Sequence, residues 1–185
     1  MKSLTDVAGI VGMMLIFGLT GCEGLKDPPG SQPDPVATAP AEPSSSEPPK
    51  DLKPKKVDLP ELPKGAGAID ADAPDELTPT ATGLYYRILR KSDGRKPTAS
   101  DSVVAHYKGW FDDGRQFDSS YDKGKPSSFE VSGVIKGWTE GLQLIGEGGM
   151  IELEIPYELG YGASGRGPIP PKATLHFIIE LKEVK

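Results

Sequence analysis

Residues 133–149 read GVIKGWTEGLQLIGEGG, and they hold the one stretch of the chain with helical spacing. Trp138, Leu142 and Ile145 stand at i, i+4 and i+7, so a helix would carry all three on one face, and the glycines from Gly146 onward would end it. A helix this short with an apolar face needs a cover.

The cover is written on either side. MIELEI (150–155) and TLHFIIELKEV (174–184) follow, and GLYYRILRK (83–91) and DSVVAHYKGWF (101–111) precede. All four are rich in β-branched or aromatic residues, and several alternate. In TLHFIIELKEV, Leu175, Phe177, Ile179 and Leu181 share one face, while His176, Glu180 and Lys182 share the other, where His176 reads as solvated. Turn pairs separate the runs: Asp93-Gly94, Asp113-Gly114, Lys123-Gly124 and Gly148-Gly149. Several antiparallel strands and one short helix predict an α+β domain whose sheet wraps around the helix. About 100 residues suffice for such a core.

Upstream the composition changes. From Gly18 through Leu84 there is no Phe, Tyr or Trp, whereas twelve of the thirteen aromatics lie between Tyr85 and Phe177. Thirteen of the nineteen prolines fall in that aromatic-free region, which therefore offers little apolar surface to offset backbone ordering, about 1–2 kcal/mol per residue. Residues 1–82 hold 7 basic against 13 acidic side chains and carry the whole net charge of −6, while residues 83–185 hold 14 of each. A disordered, solvated linker is expected up to residue 82, extended by proline.

The chain's single cysteine sits where an apolar run ends. Lys2 precedes Val7–Leu19, which is shorter than the ~20 residues of a spanning helix and has the length of a signal-peptide core. Leu19-Thr20-Gly21-Cys22 resembles the lipobox of bacterial lipoproteins. The resemblance implies a lipidated Cys22 that anchors the mature chain to a membrane. Glu23, in place of the Asp associated with inner-membrane retention, favours an outer membrane facing the periplasm in a cell with two membranes. The alternative is an ordinary signal peptide followed by an idle thiol. The expected organisation is a lipoprotein signal over 1–21, a lipid-anchored linker over 22–82 and a folded domain over 83–185.

The domain lacks the parts of most catalytic constellations. Two histidines, His106 and His176, and no cysteine beyond Cys22 leave no material for a zinc site or a Cys–His dyad. GASGRG (162–167) follows no clear strand and opens no helix, so it does not read as a phosphate cradle. Balanced charge without a basic stripe argues against nucleic acid as a partner. What the domain has is large aromatics beside glycines. Core packing accounts for Trp110 and Phe111, but Trp138, flanked by Gly137 and followed by Gly141, leaves its face open to approach.

Three segments carry a resemblance: VVAHYKGWFDDGRQFDSSYDKGKP (103–126), residues 133–149, and LGYGASGRGPIPPKATLHFIIEL (159–181). In this order they resemble FKBP-type peptidyl-prolyl cis-trans isomerases, most of all the bacterial secreted, macrophage-infectivity-potentiator-like members. The resemblance implies a five- to six-stranded antiparallel sheet around the helix, and isomerase activity without a cofactor or metal. It implies a proline pocket with Asp118, Tyr161, Trp138 and Phe117 as catalytic residues, and Tyr107, Val134, Ile135 and Phe177 binding substrate. Trp138 would form the floor, and Asp118 would either orient Tyr107 or meet the rotating carbonyl. Implied partners are proline-containing polypeptides and macrolide inhibitors. Ser127, where an aromatic is often found, and Arg166, where a histidine is common in eukaryotic members, depart from the pattern at the rim. Related secreted members often dimerise through a helical N-terminal extension. A proline-rich linker stands in its place, so a monomer is expected. Two readings of other classes compete: a proline-peptide-binding or chaperone module without activity, and a structural lipoprotein linking membrane to wall.

Overall fold

The computed structural model describes residues 52–185. The signal segment, Cys22 and the linker as far as residue 51 lie outside the described residues. In chain order the elements are β1 (Lys55–Lys56), β2 (Glu76–Pro79), β3 (Tyr85–Arg90), β4 (Ser102–Trp110), β5 (Gln116–Ser119), β6 (Ser127–Glu130), α1 (Lys136–Leu142), β7 (Met150–Ile155) and β8 (Leu175–Val184). The strands pair antiparallel in the order β1-β2-β3-β7-β8-β4-β5, and β6 also pairs with β4. The fold class is the expected one, an α+β domain with an antiparallel sheet and one short helix.

Strand period 2 sorts the side chains onto two faces. Ile151, Leu153 and Ile155 of β7, Leu175, Phe177, Ile179 and Leu181 of β8, and Val103, Ala105 and Tyr107 of β4 form one buried cluster with Trp138 and Leu142 of α1. The helix lies close on β7 because Gly137 and Gly141 face that strand. A Cβ on Gly137 would stand 2.6 Å from Ile155 Cγ2, and one on Gly141 2.6 Å from Leu153 Cδ1. Glycines four residues apart thus let seven residues of helix sit close enough for Trp138 to reach the strands. The helix ends at Leu142, yet Ile145 stays in the core at 3% exposure from the turn beyond it.

The sheet has eight strands where five or six were expected, and the surplus includes two from residues 52–82. The composition of that segment predicts a solvated linker. Instead it forms a strap over the other face of the sheet. Leu62, Ala66 and Ile69 pack against Leu89, Met150 and Ile178, and Leu77 is 2% exposed. The Asp70 N–H donates to the Leu89 carbonyl at 2.8 Å.

Arg87 fixes the strap from below. It is fully buried, pairs through Nε with Glu152 Oε2 at 2.5 Å, and donates from Nη1 and Nη2 to the carbonyls of Val57 (2.7 Å) and Asp58 (2.5 Å). Burial pushes the Glu152 carboxyl above its ordinary range, and the guanidinium opposes this. One side chain thus satisfies two strap carbonyls that the sheet cannot reach, which offsets the desolvation of its own charge. No helix among the described residues is long and apolar enough to cross a membrane.

Candidate active site

Trp138 is the centre of an aromatic cluster on the helix-covered face. It is 4% exposed, and three rings meet it edge to face: Tyr107 at 5.3 Å and 78°, Phe129 at 5.2 Å and 73°, Phe177 at 5.2 Å and 84°. Phe117 stands against Phe177 in the same manner at 5.4 Å and 85°. Edge-to-face pairs of this kind contribute about 0.5–1.5 kcal/mol each beyond burial, and here they hold three rings at fixed angles around one indole, with Phe117 set against one of the three. The Trp138 indole N–H is buried and, among the described residues, has no hydrogen-bond partner. Leaving a donor orphaned costs about 1–3 kcal/mol, a penalty found at functional sites more than in plain cores.

The strands explain how these rings meet. Tyr107 and Gly109 are on the inward face of β4, and Gly109 pairs with both Asp118 of β5 and Phe177 of β8. A Cβ on Gly109 would lie 2.6 Å from Phe117 Cζ and 2.7 Å from Phe177 Cε1, so the two phenyl rings occupy the space that a side chain would take.

A polar triplet borders the rings. The Tyr107 hydroxyl donates to Asp118 Oδ2 at 2.5 Å, and Lys123 Nζ and the Ser119 N–H both donate to Oδ1 at 2.8 Å. Burial pushes the Asp118 carboxyl up, but hydrogen bonds from Lys123 and Tyr107 together outweigh it and hold the group below the ordinary carboxylate range. Burial and the Asp118 charge push the Tyr107 phenol far above its ordinary value. Burial also raises Tyr161, against the opposing charge of Arg166, so its phenol remains a protonated donor near neutral pH. Among the described residues neither the Tyr161 hydroxyl nor the Ile135 N–H has a hydrogen-bond partner, which leaves two donors at the edge of the cluster.

Every residue expected in the site is in this region. Tyr107, Trp138 and Phe177 are in the buried cluster, Phe117, Val134, Ile135 and Tyr161 are partly buried against it, and Asp118 joins it through Tyr107. Phe129 was missed. It touches both Tyr107 and Trp138, and its signal was the alternation in β6 that turns Ser127 and Phe129 inward together. Ser127 is partly buried beside it, and Arg166 is exposed in the loop that closes on Ile169. One other reading changes. His176 is not free in solvent: it stacks on Trp110 at 5.7 Å and bonds Asp112 through Nε2 at 2.7 Å. Trp110 itself packs on the strap side of the sheet, with the Leu89–Met150–Ile178 cluster.

Comparison with known proteins gives this geometry a family. Residues 93–182 match the FKBP-type peptidyl-prolyl cis-trans isomerase family. The FKBP-type peptidyl-prolyl cis-trans isomerase FkpA of Escherichia coli K12 is 51% identical over 106 residues, which are 57% of this chain and 39% of that protein. The macrophage infectivity potentiator of Trypanosoma cruzi is 45% identical over 116 residues, covering 62% of this chain and 59% of its own. The chain therefore spans less than two thirds of the length of these relatives. Among solved structures, FkpA from Escherichia coli superposes with a TM-score of 0.58 at 50% identity, covering 59% of this chain and 51% of that one. AtFKBP13 superposes with a TM-score of 0.55 at 36% identity, covering 60% of this chain and 99% of that one. A family member matched over nearly its whole length, together with three motifs that converge on one indole, decides the matter: the chain belongs to the FKBP-type peptidyl-prolyl cis-trans isomerases.

Proposed function

We propose that this chain catalyses cis–trans isomerisation of X–Pro bonds in exported polypeptides, at a membrane surface to which Cys22 tethers it. The observation that carries the catalytic reading is the ring cluster around Trp138, bordered by the Tyr107–Asp118–Lys123 triplet and by two donors without partners among the described residues.

The chemistry asks for little more. Resonance holds the X–Pro amide planar behind a barrier near ~20 kcal/mol, and uncatalysed exchange takes tens of seconds or longer. No bond breaks between heavy atoms, so neither a nucleophile nor a proton relay is required. The transition state is a twisted amide that has lost conjugation and much of its charge separation. An apolar aromatic surface favours that state over the polar planar amide.

In this reading Trp138, Phe177 and Tyr107 hold the pyrrolidine ring, with Phe117, Val134 and Ile135 as walls. The Ile135 N–H and the Tyr161 hydroxyl donate to peptide carbonyls. Asp118 keeps Tyr107 in place. Macrolides that present a proline-like ring would occupy the same surface.

The test is exchange spectroscopy on a short X–Pro peptide with the full chain. Catalysed exchange that Trp138→Phe lowers strongly and a macrolide abolishes supports the reading, whereas binding without exchange assigns a non-catalytic module. Anchoring has its own test. Wild-type chain in the membrane fraction with an acylated Cys22, and a soluble Cys22→Ser variant, supports the tether.

A further inference from the structure

On one edge of β4 the strand pairing is interrupted. The ladder with β6 runs from Ser102 to Ala105 and the ladder with β5 from Lys108 to Trp110, so His106 and Tyr107 have no ladder partner there. Ser120, the first residue past β5, fills the gap, and it is fully buried. Its N–H donates to the Tyr107 carbonyl at 2.9 Å, and the Tyr107 N–H donates to Ser120 Oγ at 2.8 Å. The hydroxyl proton has two acceptors in reach, His106 Nδ1 at 3.0 Å and the Tyr107 carbonyl at 3.3 Å. With either one, Oγ keeps a lone pair for the Tyr107 N–H. The His106 ring is itself held, stacked on Tyr121 at 4.5 Å and 16°.

We propose that Ser120 is a positioning residue of the isomerase site: it fixes the backbone of Tyr107, so that the phenol meets Asp118 and the ring meets Trp138. Ser120 has this role only if Tyr107 walls the proline site, as read above. The segment 118–120 then holds Tyr107 at both ends, since Asp118 takes the phenol at 2.5 Å and Ser120 takes the two backbone groups. A ring fastened at its tip alone can pivot, whereas one fastened at its base as well keeps its angle to the indole. A buried backbone N–H must find an acceptor, and a longer ladder would also supply one. Ser120 does so within a single residue. The chain is thereby free to leave the sheet into the turn closed by the Gly124 N–H and the Tyr121 carbonyl, from which Lys123 returns to Asp118. Alanine at position 120 would strand the Tyr107 N–H in the interior, and Tyr107 would have to shift to satisfy it.

The test compares wild-type full chain with Ser120→Ala, Tyr107→Phe and the double variant, by exchange spectroscopy on one X–Pro peptide. Ser120→Ala should lower kcat/KM at least about tenfold with cooperative unfolding preserved, because a displaced wall costs rate before it costs the fold. The double variant should lose clearly less than the product of the two single losses, since Ser120 acts through Tyr107. A purely structural serine would give losses that multiply in full, or none in the folded variant, and either result overturns the assignment. Hydrogen exchange on the 15N-labelled wild-type chain tests the contact without any substitution. A protected Tyr107 amide supports it, and one exchanging as fast as the exposed Gly124 amide overturns it. The outcomes also separate the two readings. Tyr107→Phe at the wild-type rate would refute the part given to Tyr107 and that of Ser120 with it, whereas a loss in Tyr107→Phe beside an unaffected Ser120→Ala refutes Ser120 alone.

Discussion

The Tyr107 hydroxyl donates a 2.5 Å hydrogen bond to Asp118, and Lys123 Nζ binds the other carboxylate oxygen at 2.8 Å. Asp118 thus accepts three hydrogen bonds from groups of its own chain. The Ser119 N–H shares Oδ1 as well, so both oxygens are committed before any substrate arrives. A carboxylate held this way and titrating low is a poor proton carrier, but a firm anchor for the phenol that walls the site.

Asp118→Asn should therefore cost little. The amide keeps the shape and can still accept from Tyr107, so kcat/KM should fall by roughly tenfold or less, the range of one weakened hydrogen bond. Lys123→Met should act in the same direction and by less, since the Lys123–Asp118 contact is half exposed. Exchange rates on a single X–Pro peptide check both. Abolition of turnover by Asp118→Asn would make Asp118 a participant in the chemistry.

The pH profile should be flat between about pH 6.5 and 8.5. Asp118 is held below its ordinary value and is charged throughout, while Tyr107 and Tyr161 are raised and remain protonated. Below that window stability should decline in two stages. Burial lowers His106, whose Nδ1 is 3.0 Å from Ser120 Oγ, so the stability from its neutral form is full above the unfolded value near ~6.5 and is lost as pH falls through the folded one. The contribution of Asp118 is present above the unfolded value near ~3.9 and is lost at still lower pH, through its depressed folded value. Thermal unfolding scanned against pH reads both steps, and a bell-shaped rate profile centred near neutrality would contradict the first claim.

Much of the domain was legible because one face of each strand carries the core. The alternation of Leu175, Phe177, Ile179 and Leu181 and the spacing of Trp138, Leu142 and Ile145 both mark buried stripes, and the structure buries them together. The site was legible through motif likeness alone. Nothing in the spacing of Tyr107 and Asp118 says that a hairpin will bring them into hydrogen-bond contact. The strap was not legible, because proline-rich, aromatic-free sequence meets every criterion for a solvated linker. Its markers are elsewhere: Leu89, Met150 and Ile178 are apolar on the face that also carries Arg87, Glu152 and Glu180, and Arg87 is placed mid-strand with no surface to reach.

The strap should behave as part of the domain. Limited proteolysis should leave the strap on the core, with the chain from β1 at Lys55 onward protected. A chain beginning at residue 83 should be less stable, because it uncovers Leu89, Met150 and Ile178 and removes Leu77. Arg87→Met tests the fastening alone: it leaves the Glu152 carboxylate buried without its partner and should cost about 3–5 kcal/mol. Denaturant unfolding measures it, and a change below about 1 kcal/mol would mean that solvent already reaches the pair.

Trp138→Phe should separate floor from scaffold. Truncation of the buried indole to alanine would cost about 3–5 kcal/mol of stability and could be read as simple unfolding. Phenylalanine keeps a ring against Tyr107, Phe129 and Phe177 while it removes the orphaned N–H and part of the flat surface. The expected outcome is a larger loss of kcat/KM than Asp118→Asn gives, about ten- to a hundredfold, with cooperative unfolding preserved.

Gly109→Ala carries the same question to a residue that touches no substrate. The added methyl would arrive 2.6 Å from Phe117 and 2.7 Å from Phe177, inside contact distance of both rings. β4 is paired on both sides at this position, with Asp118 on one and Phe177 on the other, so the backbone has little freedom to yield and the rings must move. Overpacking of this kind costs about 1–3 kcal/mol, a sum that a domain of ordinary stability survives. The rings that shift are the ones set edge to face beside Trp138, and a displacement of about 1 Å at a positioned group is enough to cost a hundredfold in rate. The folded variant should therefore lose far more activity than stability. Exchange rate and denaturation midpoint, measured on the same preparation, decide it: a variant that keeps its rate while losing stability would show that the ring angles are packing alone and take no part in selecting the twisted amide.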